Sequence, residues 1–437
     1  MTNLKKKLSQ KKIYYCSFAC HTTWRRCHGM STGRTSNPMR VEENVMEEFE
    51  FDEILDDWFI DSLKAYKDLH VYQLEFPTRV IEWTSAKTVC VASCDAFNKN
   101  HILELGLPPK LFAQQQGVCA ERDFRVLHGG FCPGPVSVLK HFPGTRLIVT
   151  NDGRTSDLLV WNLGGDDSDV IAEEASVAGS KESQGGVKVA ARTAAQAEVV
   201  HGRRVADVKL THLDTGQSVY TLASLNEELV SSFHFASDAV FLIACGNGDV
   251  HTVDTRVSTP PRCDPAPPFP SCRGVWRTDV RESQLVRVST CGRTAISDPR
   301  SPAVVVRRAR LAPGKVPGDP EDVTVSWAPG LDDVVAVSGF NGNVQIYDTS
   351  SWTSDPRDVD PLFEHGGHTV CSPQGGAVVA RHLWHPQKSR TLVSAASDAS
   401  LHVWDWIQRE IYRDDCQKKT FPQSLMIWGC ISGKGTG

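Results

Sequence analysis

The sequence predicts an all-β fold, a seven-bladed β-propeller with a short N-terminal helix and disordered ends. Seven short alternating strands end alike: HILEL (101–105), LLVWN (158–162), KLTHLD (209–214), VHTVD (250–254), TAISD (294–298), VQIYD (344–348) and LHVWD (401–405). From the second onward they recur at intervals of 40 to 57 residues, close to the period of about 40–45 at which four-stranded blades repeat. The Trp327-Ala328-Pro329 stretch returns 57 residues later as Trp384-His385-Pro386, which makes an internal repeat secure. The segment Gly367–Trp406 reads as a hairpin. Alternation in TLVSA (391–395) and LHVW (401–404) brackets Ser397-Asp398-Ala399-Ser400, residue types that tight turns prefer.

Ahead of the ring, residues 1–45 carry nine Lys/Arg and no acid before Glu42, and no helical or strand period is sustained. They read as a basic disordered leader. Cys16, Cys20, His21, Cys27 and His28 match none of the usual paired zinc-ligand spacings. The charge inverts at Glu42–Asp57, and Leu55, Phe59, Leu63 and Tyr66 recur at four, four and three residues. That spacing predicts an acidic amphipathic helix over 46–68. LHVYQLEF (69–76) is a strand with no hairpin partner of its own, whereas the last blade supplies only three strands before the chain leaves it. Joining the two would close the ring over 69–407 and remove an exposed edge. Excess length falls in stretches of loop composition, at Gly164–Gln196, Ser258–Cys272 and Ser350–Pro361. Residues 408–437 form a tail outside the ring.

Gly367-His368 at the head of the last repeat and Trp404-Asp405 at its tail frame a blade that resembles the WD-repeat β-propeller family. DDWFIDSLKAYKDL (56–69), TRVIEW (78–83), ERDFRVLHGGF (121–131), TRLIVT (145–150), SWAPG (326–330), VSGFNGNVQIYD (337–348), LWHP (383–386) and SDASLHVWDW (397–406) extend the resemblance over about 54–407. It implies a buried hydrogen-bonded chain made by the loop His368, the turn Asp398, the hydroxyl of Ser394 and the indole of Trp404. Ser, His and Asp would also serve a hydrolase. No G-x-S-x-G surrounds Ser394, so the set reads as a structural staple. Trp161, Tyr347 and Val253 stand at the Trp404 position of other blades, and Asn341 and Asn247 at the Asp398 position. The tail segment Lys418–Gly437 is similar to an interior piece of a Tc1/mariner-type transposase and carries no catalytic carboxylate triad.

A net charge of −5 argues against nucleic acid as a direct ligand. Fourteen scattered cysteines and the lack of a signal peptide point to a reducing compartment. Apolar runs such as Ala239–Cys245 fall short of the roughly 20 residues a membrane span needs, so no membrane partner is expected. No nucleophile–base pair, metal cluster or phosphate loop stands at chemical spacing, which leaves a non-enzymatic scaffold needing no cofactor. The resemblance implies a cytoplasmic assembly factor for the RNA-endonuclease module of the Integrator complex, holding its catalytic and pseudo-catalytic subunit pair. It also implies a link to microtubule organisation, spindle poles and the cleavage furrow. Long loops and the flanking helix are where partner contacts can vary, and there Asp56, Asp57, Arg122 and Arg125 are the candidate partner-binding residues. The alternative is a substrate receptor of a ubiquitin ligase. Such a receptor would carry W-D-x-R after a blade, where the last blade has Trp404-Asp405-Trp406-Ile407.

Overall fold

A computed structural model describes residues 65–93, 100–108, 124–179, 185–193, 196–257, 259–269, 274–312, 323–340, 342–368 and 377–407, with the backbone of a two-residue strand, Tyr15–Cys16. The strands form seven sheets, the blades of a β-propeller. Blade 1 runs Thr78–Ser85, Thr88–Ser93, Asn100–Gly106, Arg125–Cys132. Blade 2 is Val138–His141, Leu147–Asn151, Leu158–Asn162, Ala172–Val177. Blade 3 is Lys188–Thr193, Ala197–Gly202, Lys209–His212, Ser218–Thr221, and blade 4 is Val230–Phe235, Val240–Cys245, Val250–Asp254, Arg262–Asp264. Blade 5 is Trp276–Arg281, Gln284–Ser289, Arg293–Asp298, Ser301–Arg310. Blade 6 is Thr324–Trp327, Val334–Ser338, Val344–Asp348, Phe363–His365. The seven strand endings read from the sequence are the third strands of these blades.

Blade 7 closes the ring with both ends of the chain. Val379–Trp384, Thr391–Ala396 and Ser400–Trp406 come from the C-terminal part. The fourth strand, Tyr66–Gln73, comes from the N-terminal part and pairs antiparallel with Ser400–Trp406. It starts three residues earlier than the expected 69–76. Tyr66, expected on the apolar face of a helix, is instead in this strand, its ring against Phe363 and Trp404. The rest of that helix, residues 46–64, lies outside the described residues. Tyr15–Cys16 adds a short fifth strand, pairing with Tyr72 and Val71.

The alternation in LHVW suggested one buried face, yet every residue of Ser400–Trp406 is buried. The cause is the radial packing of blades. Leu401 and Val403 face Ile81, Val89 and Val91 of blade 1, while Trp404 and Trp406 pack with Ala336, Val344 and Ile346 of blade 6. Similar clusters join blades 1 and 2, 2 and 3, 3 and 4, and 5 and 6. The seam between blades 4 and 5 is thinner, with Leu242, Val250 and Leu285 as its buried apolar cluster. A fully buried guanidinium completes it. Arg287 of blade 5 donates to the carbonyls of Gly248 and Pro265 in blade 4, and to Ser297 Oγ and the Pro302 carbonyl in its own blade. Gly248 at this seam has φ of +98°, and a Cβ there would lie 2.7 Å from Trp276 Cδ1, so the Asn247-Gly248 turn needs glycine on both counts.

The loop expectations need correction. Gly164–Gln196 contains the outer strand Ala172–Val177 and the inner strand Lys188–Thr193, and Ser258–Cys272 contains Arg262–Asp264. An outermost strand has neighbours on one edge only, so AEEASV can be mostly exposed and take the composition of a loop. Within Ser350–Pro361, Arg357–Asp358 pairs in parallel with Ala309–Arg310, covering part of the edge of blade 5. The chain at 169–171 likewise bonds Gly129 on the edge of blade 1.

Candidate functional site

The framed blade holds its polar residues in one buried chain. Asp398 Oδ1 accepts the Ser400 hydroxyl at 2.6 Å, and Ser400 Oγ accepts from His368 Nδ1 at 2.6 Å. His368 Nε2 accepts from Ser394 Oγ at 2.8 Å, and Ser394 Oγ accepts the Trp404 indole N–H at 3.1 Å. A carboxylate can only accept, so starting from Asp398 every proton in the chain has one possible position. His368, Ser394 and Trp404 are thus brought together directly, whereas Asp398 reaches His368 through Ser400. Ser400 was missed in the sequence, and its signal was its place two residues after Asp398 in the turn. Ser394, the hydroxyl a hydrolase would use, is fully buried in this chain. In blade 2 the corresponding Trp161 keeps one bond, to Thr150 Oγ1 at 2.8 Å.

Two further histidines pack onto this chain. His365 Nε2 lies 3.1 Å from His402 Nδ1, and the Tyr66 hydroxyl lies 2.7 Å from His365 Nδ1. His365, His368 and His402 offer ligand atoms within 4.8 Å of one another. They do not form a metal site. The His368 and His402 rings stack with centroids 3.6 Å apart and 12° between their planes, so their in-plane lone pairs run side by side and cannot converge on one ion. Both nitrogens of His368 are also committed to serine hydroxyls.

Burial holds His365 and His368 well below the usual histidine range, helped by the neighbouring His402, and pushes His402 itself to about 3. The folded protein therefore keeps these rings neutral, while the unfolded chain protonates them below about pH 6.5. Stability should fall as pH drops through that point, because the unfolded state then binds more protons. We expect His368→Gln to flatten this slope. His368→Ala or Ser400→Ala should cost about 1–3 kcal/mol at pH 7.5 by breaking the buried chain. Melting curves between pH 7.5 and 5 test both; parental behaviour of the alanine variants would remove the chain's structural role.

Of the candidate partner-binding residues, Asp56, Asp57 and Arg122 lie outside the described residues. Arg125 opens the outer strand of blade 1 and is exposed, with Leu127 and Phe131 exposed further along the same strand. His128, from the same charged segment, turns inward. It meets Glu104 at 2.7 Å, and Glu104, fully buried, takes two bonds from Arg146 of blade 2 and one from Thr84. His128 thus belongs to the joint between blades 1 and 2.

The W-D-x-R sought after the last blade has no full counterpart in the other blades, but a shorter Asp-x-Arg corner, without the Trp, occurs in two of them. Asp254-Thr255-Arg256 ends the third strand of blade 4, and Asp298-Pro299-Arg300 ends that of blade 5. In both, the aspartate accepts the arginine's backbone N–H, Nε and Nη2. Those side-chain and backbone bonds hold each aspartate down to about 2. No described helix is long and apolar enough to cross a membrane.

A scan of protein-family models finds no match. Similarity to curated proteins covers about four fifths of the chain. A zebrafish (Danio rerio) protein is 40% identical over 369 residues, covering 81% of this chain and 97% of its own length. A human (Homo sapiens) protein is 36% identical over 370 residues, covering 80% and 97%, and a mouse (Mus musculus) protein 36% over 368, covering 81% and 98%. All three bear the name Integrator complex assembly factor WDR73. With that identity across nearly the whole length of each relative, and a seven-bladed ring beneath it, the chain belongs to the WDR73 family of WD-repeat β-propellers.

Proposed function

We propose that the chain is a non-enzymatic scaffold in the assembly of the Integrator complex, and that the parts it holds are the paired subunits of the RNA-endonuclease module. The observation that carries this is its similarity, over 97% of their length, to proteins named as Integrator complex assembly factors. The fold supports it: a closed ring presents a fixed outline on which two proteins can be held in one relative orientation. The protein works in the cytoplasm, and its association with spindle poles, the cleavage furrow and microtubules follows from the assembly role. Affinity capture of the tagged full-length chain tests the assembly reading. Co-purification of the endonuclease subunits supports it, and ligase adaptors in their place would favour a ubiquitin-ligase receptor. Imaging a fluorescent fusion through division tests the location.

The contact is formed by the acidic segment at Asp56 and Asp57 and by the charged segment that carries Arg122 and Arg125. Arg125 is exposed beside Leu127, so a charged partner surface can meet it without displacing core residues. Reversing Asp56 and Asp57 to lysine, and separately Arg122 and Arg125 to glutamate, should each reduce endonuclease capture at least threefold while leaving the melting temperature unchanged. Full capture by both double variants would move the contact elsewhere on the ring.

A further inference from the structure

The two Asp-x-Arg corners occupy equivalent places in consecutive blades, so they lie on one face of the ring. A third arginine joins them. Arg262, opening the outer strand of blade 4, is held by Asp264 through Nε at 2.9 Å and Nη2 at 3.0 Å, and its Nη2 also reaches the Arg300 carbonyl at 3.1 Å. In each pair the acid sits behind and the guanidinium in front. The arginine side chains are 70%, 56% and 82% exposed for Arg256, Arg262 and Arg300, against 27%, 10% and 31% for Asp254, Asp264 and Asp298. Arg256 and Arg300 are each fixed along the Nε–Nη2 edge alone, whereas Arg262 also spends its second Nη2 hydrogen on the Arg300 carbonyl. Among the described residues the Nη1 donors of all three meet no acceptor. Val257, which follows Arg256 directly, is exposed, and so is Val304, four residues after Arg300 in the outer strand of blade 5.

We propose that this arginine-faced surface across blades 4 and 5 docks an acidic segment of a partner protein, whose carboxylates take the outward edges of the guanidiniums and whose apolar side chains cover the valines. Three features favour that occupant. Holding an arginine by a second carboxylate restricts its rotamers, so less freedom is lost when a partner binds. The planar outward edges of Arg256 and Arg300 each match a carboxylate with two parallel bonds, and Arg262 adds a single Nη1 donor. Three aspartates offset the charge of three arginines, so affinity here comes from directional bonds to single carboxylates and from apolar cover, not from the net positive charge on which polyanion binding mainly depends; this disfavours nucleic acid. The surface is separate from the blade 1 strand bearing Arg125, and the inference stands apart from the identity of the assembled complex.

The test uses the full-length chain and a fluorescein-labelled peptide of alternating glutamate and leucine, read by fluorescence anisotropy, with an oligouridylate of equal charge in parallel. The peptide should bind more tightly than the oligouridylate, and Arg256→Ala with Arg300→Ala should weaken it at least tenfold. Asp254→Asn with Asp298→Asn is the decisive variant. It adds positive charge but releases the forks, and should also weaken the peptide at least threefold. Tighter binding after the asparagine changes would show simple charge attraction and overturn the proposal. So would unchanged binding after the alanine changes, or an oligouridylate that binds as well as the peptide. Circular dichroism melts of each variant confirm that the ring is intact.

Discussion

A chain lacking residues 66–73 is expected to lose its cooperative unfolding transition and to associate. This strand supplies the fourth position of blade 7, buries Tyr66, Leu69 and Tyr72, and places the Tyr66 hydroxyl on His365. At about 1.5–3 kcal/mol for each buried side chain, its loss removes on the order of 5–9 kcal/mol, comparable with the whole stability of an ordinary domain at about 5–15 kcal/mol. The ladder edge of Ser400–Trp406 would then stand open to other chains. Supplying a synthetic peptide of residues 65–77 in trans should restore a sharp melt. Removing residues 1–14 and 417–437 instead should change the melting temperature little, since the sequence of neither stretch fits a blade. A parental melt in the 66–73 deletion would mean the ring closes in another way.

Arg287→Ala is expected to lower stability by about 3–5 kcal/mol. The guanidinium is fully buried where the apolar cluster between blades is thinnest, and it satisfies carbonyls from both sides of the seam. Burial lowers its pKa to about 10, opposed by Asp264 and Asp249, so it stays charged at neutral pH. Removing it leaves a cavity and unpaired carbonyls together. Arg287→Met separates these effects: it keeps most of the volume but no donor, and should recover less than half of the loss. Chemical denaturation at pH 7.5 gives both values. Full recovery by methionine would show that volume alone matters at this seam, and a small loss for alanine would show that Leu242, Val250 and Leu285 suffice.

The ring itself was legible in the sequence because third strands are signalled locally. VQIYD and LHVWD alternate, end on an acid, and follow turns, so each could be recognised without its neighbours. Closure by the early strand was legible for a different reason: a three-stranded last blade needs a fourth strand, and LHVYQLEF had no hairpin partner. His368, Ser394, Asp398 and Trp404 could be located by resemblance and spacing. Tertiary structure decided what spacing cannot hold. Ser400 enters the chain because its hydroxyl falls between two groups 30 residues apart in sequence, His368 and Asp398. His365 meets it only once blade 6 is packed on blade 7. The outer strand Ala172–Val177 was unreadable, since a strand with one solvated edge and little burial carries no apolar period. Arg287 looked like any charged residue in a strand until two blades enclosed it, and the Asp-x-Arg corners of blades 4 and 5 became one surface only when the ring set them side by side. Local pattern fixes which residues can form strands, whereas the neighbouring blade decides which of their faces meet water.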